Sequence, residues 1–303
     1  MENKCHFVSS RGILKSCDFH SNNPTSSFGG DHIYLYKMLQ NMFDGMSIYV
    51  CSDALSFFVD KVLPNIKKKF VLVSGDSDMC IPREALTKRQ FEGLIKSSFL
   101  IKWFIQNTQL HNYPKIIQLP IGLDYHTISN NPNHNWRLKN EGYLPCEQES
   151  ILMNIKGLAK RFDERIVKIY VNFSSSNDRF GQRVQSLKEI PNDLLDIHNE
   201  FVPRTDNWKK MTNYTFVLSP FGVGMDCHRT WEALCLGCIP IVCAPNFKSL
   251  FKKLPVLNVD NWSSISKELL EETVEKFKKR FEEIHYEKLT LGYWTNQFKM
   301  DSQ

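Results

Sequence analysis

No stretch of this chain approaches the roughly 20 consecutive apolar residues that a membrane-spanning helix needs. The longest apolar runs, such as IYVC at 48–51 and FVLV at 70–73, have the length of strands. The opening residues MENKCHFVSSRG lack the apolar core of a secretory leader. A strong charge excess is missing too. The formal net charge is +5 over 303 residues, too small to argue for nucleic acid but suited to an anionic small substrate such as a nucleoside diphosphate. The nine cysteines are odd in number and scattered, which fits reduced thiols rather than a disulfide framework. CLGC at 235–238, with Cys227 and Cys243, would span a helix, its cap and the next strand. That arrangement converges poorly on a tetrahedral metal, and the four read as small core thiols. These absences lead to the expectation of a folded cytoplasmic protein with no membrane span and no nucleic-acid partner.

What is present is an alternation. Strand-length segments at 47–51, 69–75 and 115–124 are interleaved with helix-period segments, including DALSFFVDKVLPNI and REALTKRQFEGLIKS. Residues 127–150, rich in Asn, Pro and polar groups, read as a loop or linker. The pattern then restarts with a helix over 150–163 and strands at 168–174, 196–202, 215–220, 239–243 and 256–260. A long terminal helix is predicted over about 263–289, with Leu270, Val274, Phe277, Phe281 and Ile284 on one face. The expectation is an α/β protein of two Rossmann-like domains facing a central crevice. Their predicted extents are 1–145 and 150–290, with the terminal helix and tail (263–303) packing back.

The most informative stretch is SPFGVGMDCHRTWEALCLGCIPIV, from Ser219 onwards. Gly222 and Gly224 supply a turn free of side chains after a strand, Asp226 is placed to cap a helix over 226–236, and Gly237 is placed to close it. A helix N-terminus presents unpaired N–H groups and partial positive charge, which suits phosphate. Arg229 in the first turn would add charge-assisted bonds, and Glu232, three residues on, could accept ribose hydroxyls. Trp231, Leu234 and Cys235 fall on another face and should pack inward. An exposed Arg229–Glu232 surface pair fits the same spacing. His228 stays open between a phosphate or sugar contact and a neighbour of the cap.

This stretch resembles the C-terminal signature of exostosin-type glycosyltransferases, P-x-G-x-G-x-D-x-x-R-x-W-E-A-L-x-x-G-x-I-P. Fainter similarity covers VNFSSSNDRFGQR, where Arg179 or Arg183 would be a second phosphate contact. FVLVSGDSD, KWFIQN and KIIQLPIGLD look like the N-terminal half of related bacterial and viral sugar transferases. The resemblance implies a GT-B fold and a UDP- or GDP-linked sugar donor held by the C-terminal domain. It also implies inverting transfer, without a metal, to a glycan or other hydroxyl acceptor on the N-terminal side. Eukaryotic exostosins carry a membrane anchor, and no apolar run here would serve as one.

Inverting transfer needs a base for the acceptor hydroxyl. The candidates are Asp31 and Asp78, followed by Asp76, Asp124 and His126, each placed where a strand or turn opens toward the crevice. Asp76-x-Asp78 also mimics the metal-binding D-x-D of GT-A enzymes, which leaves a metal-dependent transferase as one alternative. A non-catalytic nucleotide- or sugar-binding module is another.

Overall fold

The computed structural model describes residues 2–21, 33–110 and 112–300, so Asp31 lies outside the described residues. Two all-parallel sheets organise the chain. The first contains β1 (Met46–Cys51), β2 (Phe70–Gly75), β3 (Leu100–Ile105) and β4 (Ile116–Gln118), in the order β1-β2-β3-β4. The second contains β5 (Ile166–Val171), β6 (Leu195–Ile197), β7 (Tyr214–Leu218), β8 (Ile239–Val242) and β9 (Leu257–Asn258), in the order β6-β5-β7-β8-β9. The helices in chain order are α1 (Ser10–Leu14), α2 (Ile33–Gln40), α3 (Leu55–Phe57), α4 (Lys88–Lys96), α5 (His126–Asn130) and α6 (Pro145–Leu158). They continue with α7 (Gln182–Glu189), α8 (Arg204–Met211), α9 (His228–Cys235), α10 (Lys267–Lys279) and α11 (Leu291–Met300). No helix among the described residues is long and apolar enough to cross a membrane.

β1 and β2 are buried along their whole length, which is why they read as unbroken apolar runs rather than alternating ones. Their residues alternate between two cores. Ile48, Val50, Phe70, Leu72, Trp103 and Ile105 pack with Leu35 and Met38 of α2, the helical run around α3, and Leu94 of α4. Right-handed crossovers between strands added in one direction leave the connecting helices on one face of a sheet. The opposite face, carrying Tyr49, Cys51, Val71, Val73 and Phe104, therefore needs a cover from elsewhere. It is covered by Ile13 and Leu14 of α1 and by Trp294 and Phe298 of α11. The Phe298 ring stands edge-on to Phe104 at 4.8 Å. Backbone bonds Val8 N–H to Leu289 O and Leu291 N–H to His6 O, both 2.8 Å, lace the two chain ends together.

The predicted continuous helix over 263–289 is not formed. α10 stops at Lys279, and single 3-10 turns at Phe281–Glu283 and Tyr286–Leu289 lead to a separate α11. In an unbroken helix the His285 N–H would bond Phe281 O; here it bonds Lys253 O at 2.9 Å. The Lys288 ammonium, buried, donates to Leu250 O and to Lys252 O (3.1 Å), which fixes the diverted path. α6 begins earlier than predicted because Pro145 suits a first helical position, and the Glu147 carboxylate reaches back to Leu144 N–H at 2.9 Å. The stretch 127–150 also holds most of α5.

Replacing Phe298 by Ala should cost about 3–5 kcal/mol in urea unfolding, because it empties the seam between α11 and the first sheet. Leu158→Ala, at a side chain 90% exposed, should change stability by less than about 0.5 kcal/mol.

Candidate functional site

In the second sheet the strand order reverses at β5, which has β6 on one side and β7 on the other. Loops leaving the ends of β5 and β7 part in opposite directions there and open a crevice where ligands bind in such sheets. Residues 172–174 and 219–224 form those loops, and α9 starts beside them. The end of α9 is closed as its sequence requires. Gly237 takes φ +76°, with Gly237 N–H to Leu234 O at 3.0 Å and Cys238 N–H to Ala233 O at 2.8 Å. Trp231, Leu234 and Cys235 are buried. Cys238 packs its sulfur against the Arg165 guanidinium at 3.1 Å.

The start of α9 departs from expectation. Its N-cap is Cys227, with no side-chain cap, and Asp226 lies one residue too early to reach the first-turn N–H groups. The Asp226 carboxylate instead accepts from Trp231 Nε1 at 2.9 and 3.0 Å and from Ile121 N–H at 2.8 Å. Positions 226 and 231 are the pair that meet in a hydrophobic staple, and here a hydrogen bond replaces the apolar contact. Asp226 N–H donates to Asn107 Oδ1 at 2.9 Å. Asp226 thus joins α9 to the loops after β3 and β4. Burial pushes its carboxyl up to about 6, against the pull of the Ile121 and Trp231 donors.

One wall of the crevice is cationic. Arg183 donates to Ser174 O at 2.6 Å and Arg229 to Asn172 O at 2.7 Å. Both guanidiniums lie over the Phe173 ring, at 5.5 and 5.6 Å. Each keeps a buried Nε with no hydrogen-bond partner, and no carboxylate among the described residues pairs with either. Burial, together with the charge of Arg183, lowers the Arg229 guanidinium from its usual value. Gly222 leaves room for this arrangement, since a Cβ there would meet Arg183 Nη2 at 2.5 Å. A Cβ at Gly224 would meet Asp78 Oδ1 at 2.8 Å, so that glycine permits the first half to approach. Ser219 is buried, with its hydroxyl 2.8 Å from that of Thr230, tying β7 to α9. Arg179 is engaged elsewhere. It crosses the crevice to Glu84 Oε1 at 2.6 Å and to Asp78 O at 3.4 Å.

The facing wall carries acids and imidazoles. Asp124, buried, accepts from Thr127 N–H at 2.9 Å, lies 3.2 Å from His126 Nδ1 and pairs with Arg204 at 3.3 Å. Burial alone would raise its carboxyl; His228, Arg204 and His126 overcome that and hold it well below the carboxylate range. Burial drives the His126 imidazole down to about 4, so it is neutral near pH 7 despite Asp124. His228 donates from Nδ1 to Gly122 O at 2.7 Å, because a carbonyl can only accept, and this leaves Nε2 for other partners. Glu232 sits 3.8 Å from Arg204 Nε, which is the ion-pair partner it has in place of a surface pair with Arg229. Asp78 is exposed beside Gly224. Asp76 has φ +59° and a side chain 12% exposed. Burial raises the Asp76 carboxyl to about 6, although Arg11 and His228 pull it down.

Arg204 and Arg11 were not foreseen from sequence. Arg204 is the first residue of α8, behind Pro203, where the helix dipole disfavours a cation. That misplacement is the readable signal. Its guanidinium is stacked between Trp136 (4.9 Å) and Trp208 (5.9 Å) and also donates to Gln148 Oε1 at 3.0 Å. Arg11 gives no comparable signal.

Arg204→Met should destabilise the fold by about 3–5 kcal/mol in urea unfolding, since it strands Asp124 in a buried position. Asp76 predicts a pH effect of known sign. A carboxyl raised from 3.8 to about 6 favours the folded state below pH 4, and that contribution is lost as pH rises through 6. Asp76→Asn should therefore be more stable than the parent at pH 7 by about 1–3 kcal/mol. The gap should close near pH 4, as thermal unfolding across pH would record.

No protein-family model matches the chain, and no curated protein matches it. Among solved structures it is similar to a crystal structure of an alpha1,3-fucosyltransferase with GDP-fucose. The two are 10% identical with a TM-score of 0.35, over 97% of this chain and 96% of that one. A likeness at that score carries no weight for fold or activity.

Proposed function

We propose that this chain is a GT-B glycosyltransferase that moves a sugar from a UDP- or GDP-linked donor to a hydroxyl of a glycan or other acceptor. Transfer proceeds with inversion and without a metal. The observation that carries this reading is the Arg183–Arg229 pair. Two substantially buried guanidiniums share one aromatic ring at the reversal point of a parallel sheet, each with an unpartnered Nε and without a carboxylate. Like charges gathered at a low-dielectric site are costly unless an anion joins them. A diphosphate carries that charge and matches the planar fork of arginine. The first-turn N–H groups of α9, free of a side-chain cap, add donors on the same wall.

The same groups serve the chemistry. When the bond from the anomeric carbon to the diphosphate breaks, negative charge grows on the leaving oxygen. Fixed donors aimed at that charge lower the barrier. Glu232 stands one turn beyond Arg229 for the ribose hydroxyls. Asp76, Asp78, Asp124, His126 and His228 line the side on which an acceptor would sit. In the alternative metal-dependent reading, Asp76 and Asp78 would share one cation. In the structure the first is paired toward Arg11 and the second lies against Gly224, which favours the metal-independent reading.

Calorimetric titration with UDP and GDP tests the proposal. Arg183→Ala and Arg229→Ala should each weaken binding of the preferred nucleotide by about 10–100-fold, the loss of one or two charge-assisted hydrogen bonds. EDTA should leave affinity and turnover unchanged, whereas a metal-dependent enzyme would lose turnover. Equal affinity in both variants and the parent would overturn the assignment.

A further inference from the structure

The group that takes the acceptor's proton is the missing part of this reading, and the geometry of the acidic wall separates the candidates. Asp124 is saturated by Thr127 N–H, His126 and Arg204. The nearest cation to Glu232 is Arg204. His126 is held neutral by burial and is a weak base. Asp78 is exposed to solvent.

Asp76 differs from all of these. It is the first residue after β2, so it stands at the carboxyl end of the first sheet, facing the second half. Its carboxylate accepts no hydrogen bond among the described residues, and its one ion-pair contact is Arg11 Nε at the long distance of 3.9 Å. Its backbone occupies the left-handed region, φ +59°, held there by Asp76 N–H donating to Gln106 Oε1 at 2.9 Å. Gln106 is itself buried and anchored to Pro120 O at 2.9 Å. A side chain on the preceding Gly75 would collide with that glutamine, with a Cβ only 2.1 Å from its Oε1. The bond to Gln106, the anchoring of Gln106 and the side-chain-free Gly75 thus keep a carboxylate in a strained conformation, short of donors and largely shielded from water. Strain of this kind persists where it is over-determined, which is characteristic of functional positions.

We propose that Asp76 is the general base of the transfer, an inference that rests on the donor reading above. The acceptor hydroxyl gives its proton to the Asp76 carboxylate as its oxygen bonds the anomeric carbon. The bond from that carbon to the diphosphate oxygen breaks, and its electron pair leaves with the nucleotide onto the Arg183–Arg229 wall. The proton on Asp76 then passes to solvent. The charged and titratable groups facing Asp76 are Arg11 from α1, Cys51 and Asp53 from the end of β1, Asp124 after β4 and His228 from α9. Burial lifts its carboxyl to about 6, so it is ionised near neutrality and still basic enough to accept a proton.

The test uses the full chain, those UDP- or GDP-sugars that raise its melting temperature, and a set of methyl glycosides as acceptors. Asp76→Asn should bind UDP or GDP within about threefold of the parent yet lose at least about 100-fold in kcat. The parent's kcat/KM should fall with unit slope below about pH 6, and that limb should be absent from the variant's residual activity. Asp76→Gly, which relieves the left-handed strain, should melt no lower than the parent and remain equally slow. Retention of kcat within threefold by Asp76→Asn would overturn the proposal. So would an acid limb that persists in that variant and disappears in His228→Asn. A parent that binds nucleotide but neither transfers nor hydrolyses any bound donor would also overturn it, leaving a binding module. If neither UDP nor GDP binds the parent, the donor reading itself fails, which is a separate result.

Discussion

The carboxylate of Asp226 is the contact on which the site depends. It is buried, yet its two N–H donors come from different places: the indole of its own helix, which reaches both carboxylate oxygens, and the backbone of the loop after β4. Its own amide goes to Asn107 after β3. A buried carboxylate is tolerated only with such a set of donors, so the two halves must meet at this point to satisfy it. Once they do, α9 is fixed in rotation and height, which sets Arg229 on Phe173 and His228 on Gly122. The residue that looked like a helix cap is a clamp between the two halves of the chain.

From that clamp follows an electrostatic asymmetry. Arg204, enclosed by two tryptophans, is compensated by Asp124, Gln148 and Glu232. Arg183, similarly buried, and Arg229, half-buried beside it, are compensated only by carbonyl oxygens and a ring. The same protein therefore neutralises one guanidinium thoroughly and leaves two others short. Folding stability favours the first arrangement, and the second is what a site for an anion requires. Asp76 mirrors this on the opposite wall as an anion short of donors.

The parallel sheets were legible because strands buried on both faces must be apolar throughout, as in FVLV and IYVC. α9 was legible in its inward face and in Gly237, since a left-handed C-terminal closure selects glycine. Its N-terminus was not, because Cys227 and Asp226 differ by one residue, and long-range partners decide which of them caps. The Arg183 and Arg229 positions were expected from a motif, but their convergence on Phe173 depends on tertiary packing. The failure at 263–289 has the same origin. The apolar period continued through Phe281 and Ile284, while Lys253 O and the carbonyls around Lys288 drew the chain aside. Asp76 lay in a conspicuous GDSD, but nothing local distinguishes a tuned carboxylate from a turn residue.

The return of α11 onto the first sheet has a consequence for how the chain is made. Synthesis is vectorial, and domains generally fold from the N-terminal side first as they emerge. Here Tyr49, Val71, Val73 and Phe104 have no complete cover until Trp294 and Phe298 leave the ribosome, after the whole second half. The first sheet must wait through that interval with one apolar face open. Contacts so distant in sequence slow folding, because the loop must close before they form. The two halves look separable as architecture, yet the first cannot be finished without the last helix of the described chain.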